Sequence, residues 1–229
     1  MRRQFVTASQ DNVASIVDAF RAGGLAAGRT LLDVGVGDGR SLGMYAPPAV
    51  RLVGLEIDET AAGAARGRGV DAIVCDLDHR WPVRDASVDA VSSNQVIEHV
   101  VDTDLFVAEA LRVLRPGGLV AVATENLASW HNIGALVLGW QAFSLANVSA
   151  TTQGLGNPLS HMRGDEPIAS ERSHRRIFSY RGLAELFRLH GFEDVRIVGS
   201  GYYPLPSRLG RLDPRHAAFI TVVGRKGSV

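Results

Sequence analysis

Apolar residues recur at helical spacing early in the chain, at Val13, Ile16, Val17 and Phe20, so an amphipathic helix is expected from about Ser9 to Ala22. Gly23-Gly24 ends it. The pattern then turns to short apolar runs. Thr30 to Val34 reads as a buried strand that leads straight into Gly35-Val36-Gly37-Asp38-Gly39. Arg51 to Ile57 is expected as a second strand, Glu59 to Arg68 as an alanine-rich helix closed by glycine, and Val70 to Cys75 as a third strand. Ser87 to Ser92 is a fourth, followed by a helix over Thr103 to Leu114 that Arg115-Pro116-Gly117-Gly118 stops. Leu119 to Thr124 is a fifth.

Strands alternating with helices at this spacing predict an α/β fold, a mostly parallel sheet with helices on both faces. The rhythm breaks from Glu125 to about Phe178, a segment without strand signal that holds the apolar stretch Ile133 to Leu145. It resumes with a helix over Ser179 to His190 and two strands, Glu193 to Val198 and His216 to Val223, separated by a loop at Gly201 to Pro214. No repeat, low-complexity tract or linker interrupts the chain. Residues 1–229 are therefore expected to form one domain with an insertion at about 125–178.

Composition narrows the classes. The chain has 229 residues, 46% hydrophobic and 21% charged, the profile of a soluble domain with an ordinary core. Lys plus Arg and Asp plus Glu number 24 each, so no global field draws it to nucleic acid, and no nucleic-acid partner is expected. The single cysteine, Cys75, excludes an internal disulfide and reads as a small buried hydrophobe. The sequence shows no convincing metal cluster. No apolar h-region follows Met1-Arg2-Arg3-Gln4, and no stretch approaches the roughly 20 apolar residues of a membrane span. A cytoplasmic location without stable membrane insertion is the expectation.

The glycine loop carries the candidate chemistry. Glycines allow positive φ and a close backbone approach to a ligand, and this loop is expected at the carboxyl end of the first strand. A dinucleotide fingerprint needs a third glycine where Arg40 stands, and no Gly-Lys-Ser/Thr of a P-loop is present. Asp33 and Asp38 suit a cationic ligand better than a pyrophosphate.

Leu32-Asp33-Val34-Gly35-Val36-Gly37-Asp38-Gly39 resembles the first motif of the class I S-adenosylmethionine-dependent methyltransferases. Four further segments follow in the family's order: Val53 to Asp58, Cys75 to Asp78, Trp81 through Val100, and Leu111 to Gly118. The resemblance runs from about Thr30 to Thr124. It implies a Rossmann-like, doubly wound, mostly parallel seven-stranded sheet with an antiparallel last strand and a mainly helical insertion after strand five. It also implies S-adenosyl-L-methionine as cofactor. Asp33, Gly35, Gly37 and Gly39 would cradle it, with Glu56 at the ribose hydroxyls and Ile57 beside the adenine. Asp76 and the Leu77 amide would meet the adenine edge, and Asn94 and Gln95 the methionine portion. Asp58 is a weaker alternative to Glu56, since it suits the cap of the next helix.

Methyl transfer from a sulfonium needs an aligned nucleophile and exclusion of water, plus a base where the acceptor is a hydroxyl. No metal is required for it. Candidate bases are His99, His131 and His174. Trp130, His131 and Arg176 are candidate acceptor contacts, with Asn126 and Asn132 as further polar contacts and His161 in the same insertion. The alternative reading of His99 is loop bracing, and that of His174 a solvated basic turn. Ile133 to Leu145 reads as a lid over the acceptor, a dimer contact or a membrane-surface helix, with the lid favoured. The expected activity is methyl transfer to a small molecule, an oxygen nucleophile of a metabolite, sugar or lipid-like compound, by a monomer or homodimer. The alternatives are a non-catalytic cofactor-binding regulator, a methyltransferase acting on a macromolecule, and a nicotinamide-dependent enzyme.

Overall fold

The computed structural model describes residues 2–145, 148–149, 152, 154–160 and 174–228. Its sheet comprises β1 (Thr30–Val34), β2 (Arg51–Glu56), β3 (Asp71–Val74), β4 (Val88–Asn94), β5 (Leu114–Glu125), β6 (Phe192–Ser200) and β7 (Phe219–Lys226). Their order across the sheet is β3-β2-β1-β4-β5-β7-β6. The pairs from β3 through β5 are parallel, and β7 runs antiparallel to both β5 and β6. This is the expected Rossmann-like sheet with its last strand reversed.

The helices are α1 (Arg2–Ala22), α2 (Leu42–Tyr45), α3 (Glu59–Arg66), α4 (Thr103–Val113), α5 (Trp130–Val137), α6 (Tyr180–Leu189) and α7 (Leu209–Leu212). Alternation along β1 shows why both faces are covered. Leu31 joins an apolar layer with Ile16 and Phe20 of α1 and Ala62 and Ala65 of α3. Leu32 joins the opposite layer, with Phe106 and Val107 of α4 and Leu183 and Phe187 of α6. A parallel sheet buried on both sides in this way leaves the ends of its strands for ligands.

Several boundaries differ from expectation, each for a local reason. β5 begins before the Pro-Gly-Gly turn because Leu114 already pairs with Val88, and a bulge absorbs the turn before pairing resumes at Ala90 and Leu119. β7 starts at Phe219 instead of His216, since Asp213 holds His216 in a preceding turn. The expected loop after Gly201 contains α7. The insertion is closed at its base by a bridge between Asn126 and Phe178. Among the described residues, no helix is long and apolar enough to cross a membrane.

Candidate active site

The strand order reverses between β1 and β4, and the glycine loop follows β1 at this point. Gly35, Gly37 and Gly39 all adopt positive φ, at 75°, 55° and 81°. A Cβ on Gly35 would overlap Val96, and one on Gly39 would touch Ala65. A Cβ on Gly37 would meet nothing within 4 Å. Gly37 therefore faces open space, and its amide donates to Glu56 Oε2 at 2.8 Å. The amides of Ile57 and Asp58 donate to Glu56 Oε1 at 3.0 and 3.1 Å. The half-buried carboxylate thus ties the loop to the end of β2, with Ile57 exposed beside it. Asp58 caps α3 by accepting from the Ala61 amide, as expected.

Around this loop, Asp33 is buried and accepts from Ser92 Oγ at 2.5 Å. Asp76 is exposed after β3, its carboxylate taking the amide of Asp78, and Leu77 is half-buried next to it. Asn94 accepts from Asn12 Nδ2 of α1 at 2.8 Å, so the first helix is tied to the end of β4. Gln95 has φ 59° and its Nε2 is buried without a hydrogen-bond partner among the described residues.

Beyond β4 the chain turns back over residues 96–99 and assembles a second group. Glu98 is 1% exposed, and its Oε2 accepts from Thr124 Oγ1 at 2.9 Å. Its Oε1 has no hydrogen-bond partner among the described residues. Burial, with Glu125 adding its charge, pushes the Glu98 carboxyl up to about 8 despite the bonds it accepts. The Arg175 amide donates to the Glu98 carbonyl at 2.8 Å, which brings the end of the insertion against this turn. His174 then meets His99 edge to face, with ring centroids 4.9 Å apart. Its Nδ1 lies 2.7 Å from the Ser144 carbonyl. A carbonyl only accepts, so Nδ1 of the neutral ring carries the proton and Nε2 the lone pair.

A model of the methyltransferase domain family matches residues 32–122. A Mycobacterium tuberculosis protein described as "Probable S-adenosylmethionine-dependent methyltransferase" is 40% identical over 194 residues, covering 84% of this chain and 58% of its own length. A Mycolicibacterium smegmatis protein of similar description is 42% identical over 104 residues, covering 44% of this chain and 39% of its own. This chain therefore belongs to the class I S-adenosylmethionine-dependent methyltransferases. It spans well under two thirds of the length of these relatives. A Thermotoga maritima structure titled a "possible histamine N-methyltransferase" shares the fold, with a TM-score of 0.63 and 23% identity over 98% of this chain and 93% of that one.

The residues at the switch point fit the family's methyl donor. An open space lies above Gly37, a half-buried carboxylate stands at Glu56 beside exposed Ile57, and the Gln95 amide nitrogen is buried without a partner among the described residues.

Not every candidate lies in these two groups. His131 packs edge-on against Tyr203, at 5.1 Å between ring centroids, and near Phe143. Trp130 stacks on His216 at 4.4 Å and donates from Nε1 to the Tyr202 hydroxyl, which in turn donates to Asp213. Arg176 donates to Thr103 Oγ1 and the Val101 carbonyl, bracing the entry to α4. Asn126 and Asn132 are 0% exposed and hold the insertion together, Asn126 through the Arg215 and Ala217 carbonyls and Asn132 through Ser144. His161 lies outside the described residues.

Three residues without a sequence signal join the site. Glu125 Oε2 lies 4.0 Å from His174 Nδ1. The Tyr203 hydroxyl is buried and unpartnered among the described residues, and burial together with Glu125 raises its pKa, keeping it a neutral donor. Ser144 supplies the carbonyl that sets the His174 tautomer. Each is a single polar residue that no local pattern marks, and only the tertiary fold brings it to the group beyond β4.

Proposed function

We propose that this chain transfers a methyl group to a small-molecule acceptor, an oxygen nucleophile of a metabolite, sugar or lipid-like compound. S-adenosylmethionine, when bound, supplies an activated methyl group for in-line displacement. Asp33, Gly35, Gly37, Gly39, Glu56, Ile57, Asp76, Leu77, Asn94 and Gln95 are the residues we assign to holding it. The loop amides and the Glu56 carboxylate position its sugar, and Asn94 and Gln95 its amino-acid end.

The observation that carries this reading is the meeting of His99 and His174 over buried Glu98, directly after the strand that borders the glycine loop. Such a group helps a hydroxyl lose its proton as it attacks. His131 and the Tyr203 hydroxyl add donors or acceptors nearby, and Trp130 and Arg176 are assigned to the rim. Leu136, Val137 and Leu138 are exposed on and just after α5, which favours an acceptor with an apolar part. We read residues 1–229 as one methyltransferase domain with its acceptor-binding insertion at about 125–178, working in the cytoplasm as a monomer or homodimer.

The test is turnover of methyl-labelled cofactor against a panel of hydroxylated metabolites. Transfer to at least one acceptor is expected, with kcat lowered about 10²- to 10⁴-fold in His174→Ala while S-adenosylhomocysteine affinity is retained. Cofactor binding with no transfer to any acceptor would support a non-catalytic regulator instead.

A further inference from the structure

We propose that Glu98, His99 and His174 form a binding site for a divalent transition-metal cation at the acceptor end of the cleft. The proposal rests on the reading above that the acceptor docks here. One ligand atom from each of these residues lies within 4.8 Å of the others. Ligands about 2.1 Å from a tetrahedral ion stand roughly 3.4 Å apart. Small turns of the two rings and the carboxylate therefore close the set.

Two of the three ligands are oriented by a hydrogen-bonding neighbour, which is how metal sites are built. The Ser144 carbonyl accepts from Nδ1 of the neutral His174 ring and so fixes the ring's orientation and tautomer. Asn132 fixes Ser144 by receiving its amide and donating to its hydroxyl, so the orienting carbonyl belongs to a braced segment. Thr124 occupies Glu98 Oε2 and leaves Oε1 as the second ligand. A buried carboxyl oxygen without a hydrogen-bond partner among the described residues is costly, and a cation bound there removes that cost. The bond from the Arg175 amide to the Glu98 carbonyl sets the distance between the two ligand-bearing segments.

Two imidazoles and one carboxylate favour Zn²⁺, Co²⁺, Ni²⁺, Fe²⁺ or Mn²⁺ over Mg²⁺ or Ca²⁺, which prefer all-oxygen sites. Three protein ligands leave positions open, the arrangement of a catalytic and not a structural site. His99 and His174 are half-buried, so the open side is theirs and not that of Glu98. A cation there would polarise an acceptor hydroxyl and ease release of its proton to solvent.

The experiment titrates the chelator-treated full chain with Co²⁺, followed by visible absorption, and with Zn²⁺ by calorimetry. One ion per chain and the ligand-field bands of coordinated Co²⁺ are expected. His99→Ala and His174→Ala should abolish the bands, and Thr124→Val should weaken binding about 10- to 100-fold. Glu98→Gln keeps the acceptor for Thr124 and serves as a second ligand variant, expected to bind more weakly by a similar factor. S-adenosylhomocysteine binding reports that each variant is folded. Absence of a stoichiometric Co²⁺ site, or a site that His174→Ala leaves unchanged, overturns the inference. Transfer activity that chelation does not alter, with no Co²⁺ bands, overturns it while leaving the proposed function standing. A Co²⁺ site with no transfer in either metal state defeats the proposed function and supports the site.

Discussion

The Gly37 amide donates to Glu56 Oε2 across 2.8 Å, so the glycine loop and the end of β2 act as one unit. Glu56→Gln removes the charge from three amide bonds at once. Charge-assisted hydrogen bonds contribute about 1.5–3 kcal/mol. S-adenosylhomocysteine affinity should fall about 10- to 100-fold by calorimetry. Unchanged affinity would remove Glu56 from the site.

Gly35 and Gly37 should respond differently to alanine. Both need positive φ, which costs a non-glycine residue about 1–2 kcal/mol. Gly35→Ala adds an overlap with Val96, so its total cost should reach about 2–4 kcal/mol in denaturant unfolding. Adding Val96→Ala should recover part of that cost. Gly37→Ala should lose only the roughly 1–2 kcal/mol of its positive φ, yet bind S-adenosylhomocysteine poorly, because its methyl group enters the open space.

Stability should depend on the Arg112 network. Arg112 bonds Glu109 and Asp85, and Glu109, 6% exposed, also takes the Trp81 amide. Burial alone would raise the Glu109 carboxyl, but the bonds from Arg112 and Trp81 outweigh it and hold the group below its ordinary value. A depressed carboxylate stabilises the fold above its unfolded pKa, about 4.3 for Glu, and loses that contribution as pH falls through the folded value. Arg112→Ala should cost about 3–5 kcal/mol at pH 7, because Glu109 is left charged and unpaired. The difference from the parent should shrink below about pH 4. A gap that stays constant with pH would contradict this account.

Trp130 should act at a distance from the chemistry. It holds Tyr202, the residue before Tyr203, through a 2.8 Å bond. Trp130→Ala should raise the acceptor KM more than it lowers kcat, and leave S-adenosylhomocysteine affinity unchanged. Normal kinetics in both Trp130→Ala and His174→Ala would remove the insertion from the acceptor site.

The sheet was legible because β1, β4 and β5 are short apolar runs bounded by glycine, proline or acid, and because Val13 to Phe20 keep helical spacing. The cofactor end was legible for a related reason, since its residues cluster at strand ends in a fixed order. The proposed acceptor end was only half legible. His99 and His174 stand out as histidines, yet 75 positions separate them and no local pattern pairs them; the Arg175 bond to Glu98 does. Glu125, Ser144 and Tyr203 carry no signal at all. Arg176, expected as an acceptor contact, also braces the start of α4 through its guanidinium, a role no local pattern announces.

The most direct test of the central claim is calorimetric titration of the chain with S-adenosylhomocysteine and, separately, with NAD. One S-adenosylhomocysteine per chain, weakened by Glu56→Gln, with no measurable NAD binding, is the predicted result. Tight NAD binding, with no heat from S-adenosylhomocysteine, would contradict it.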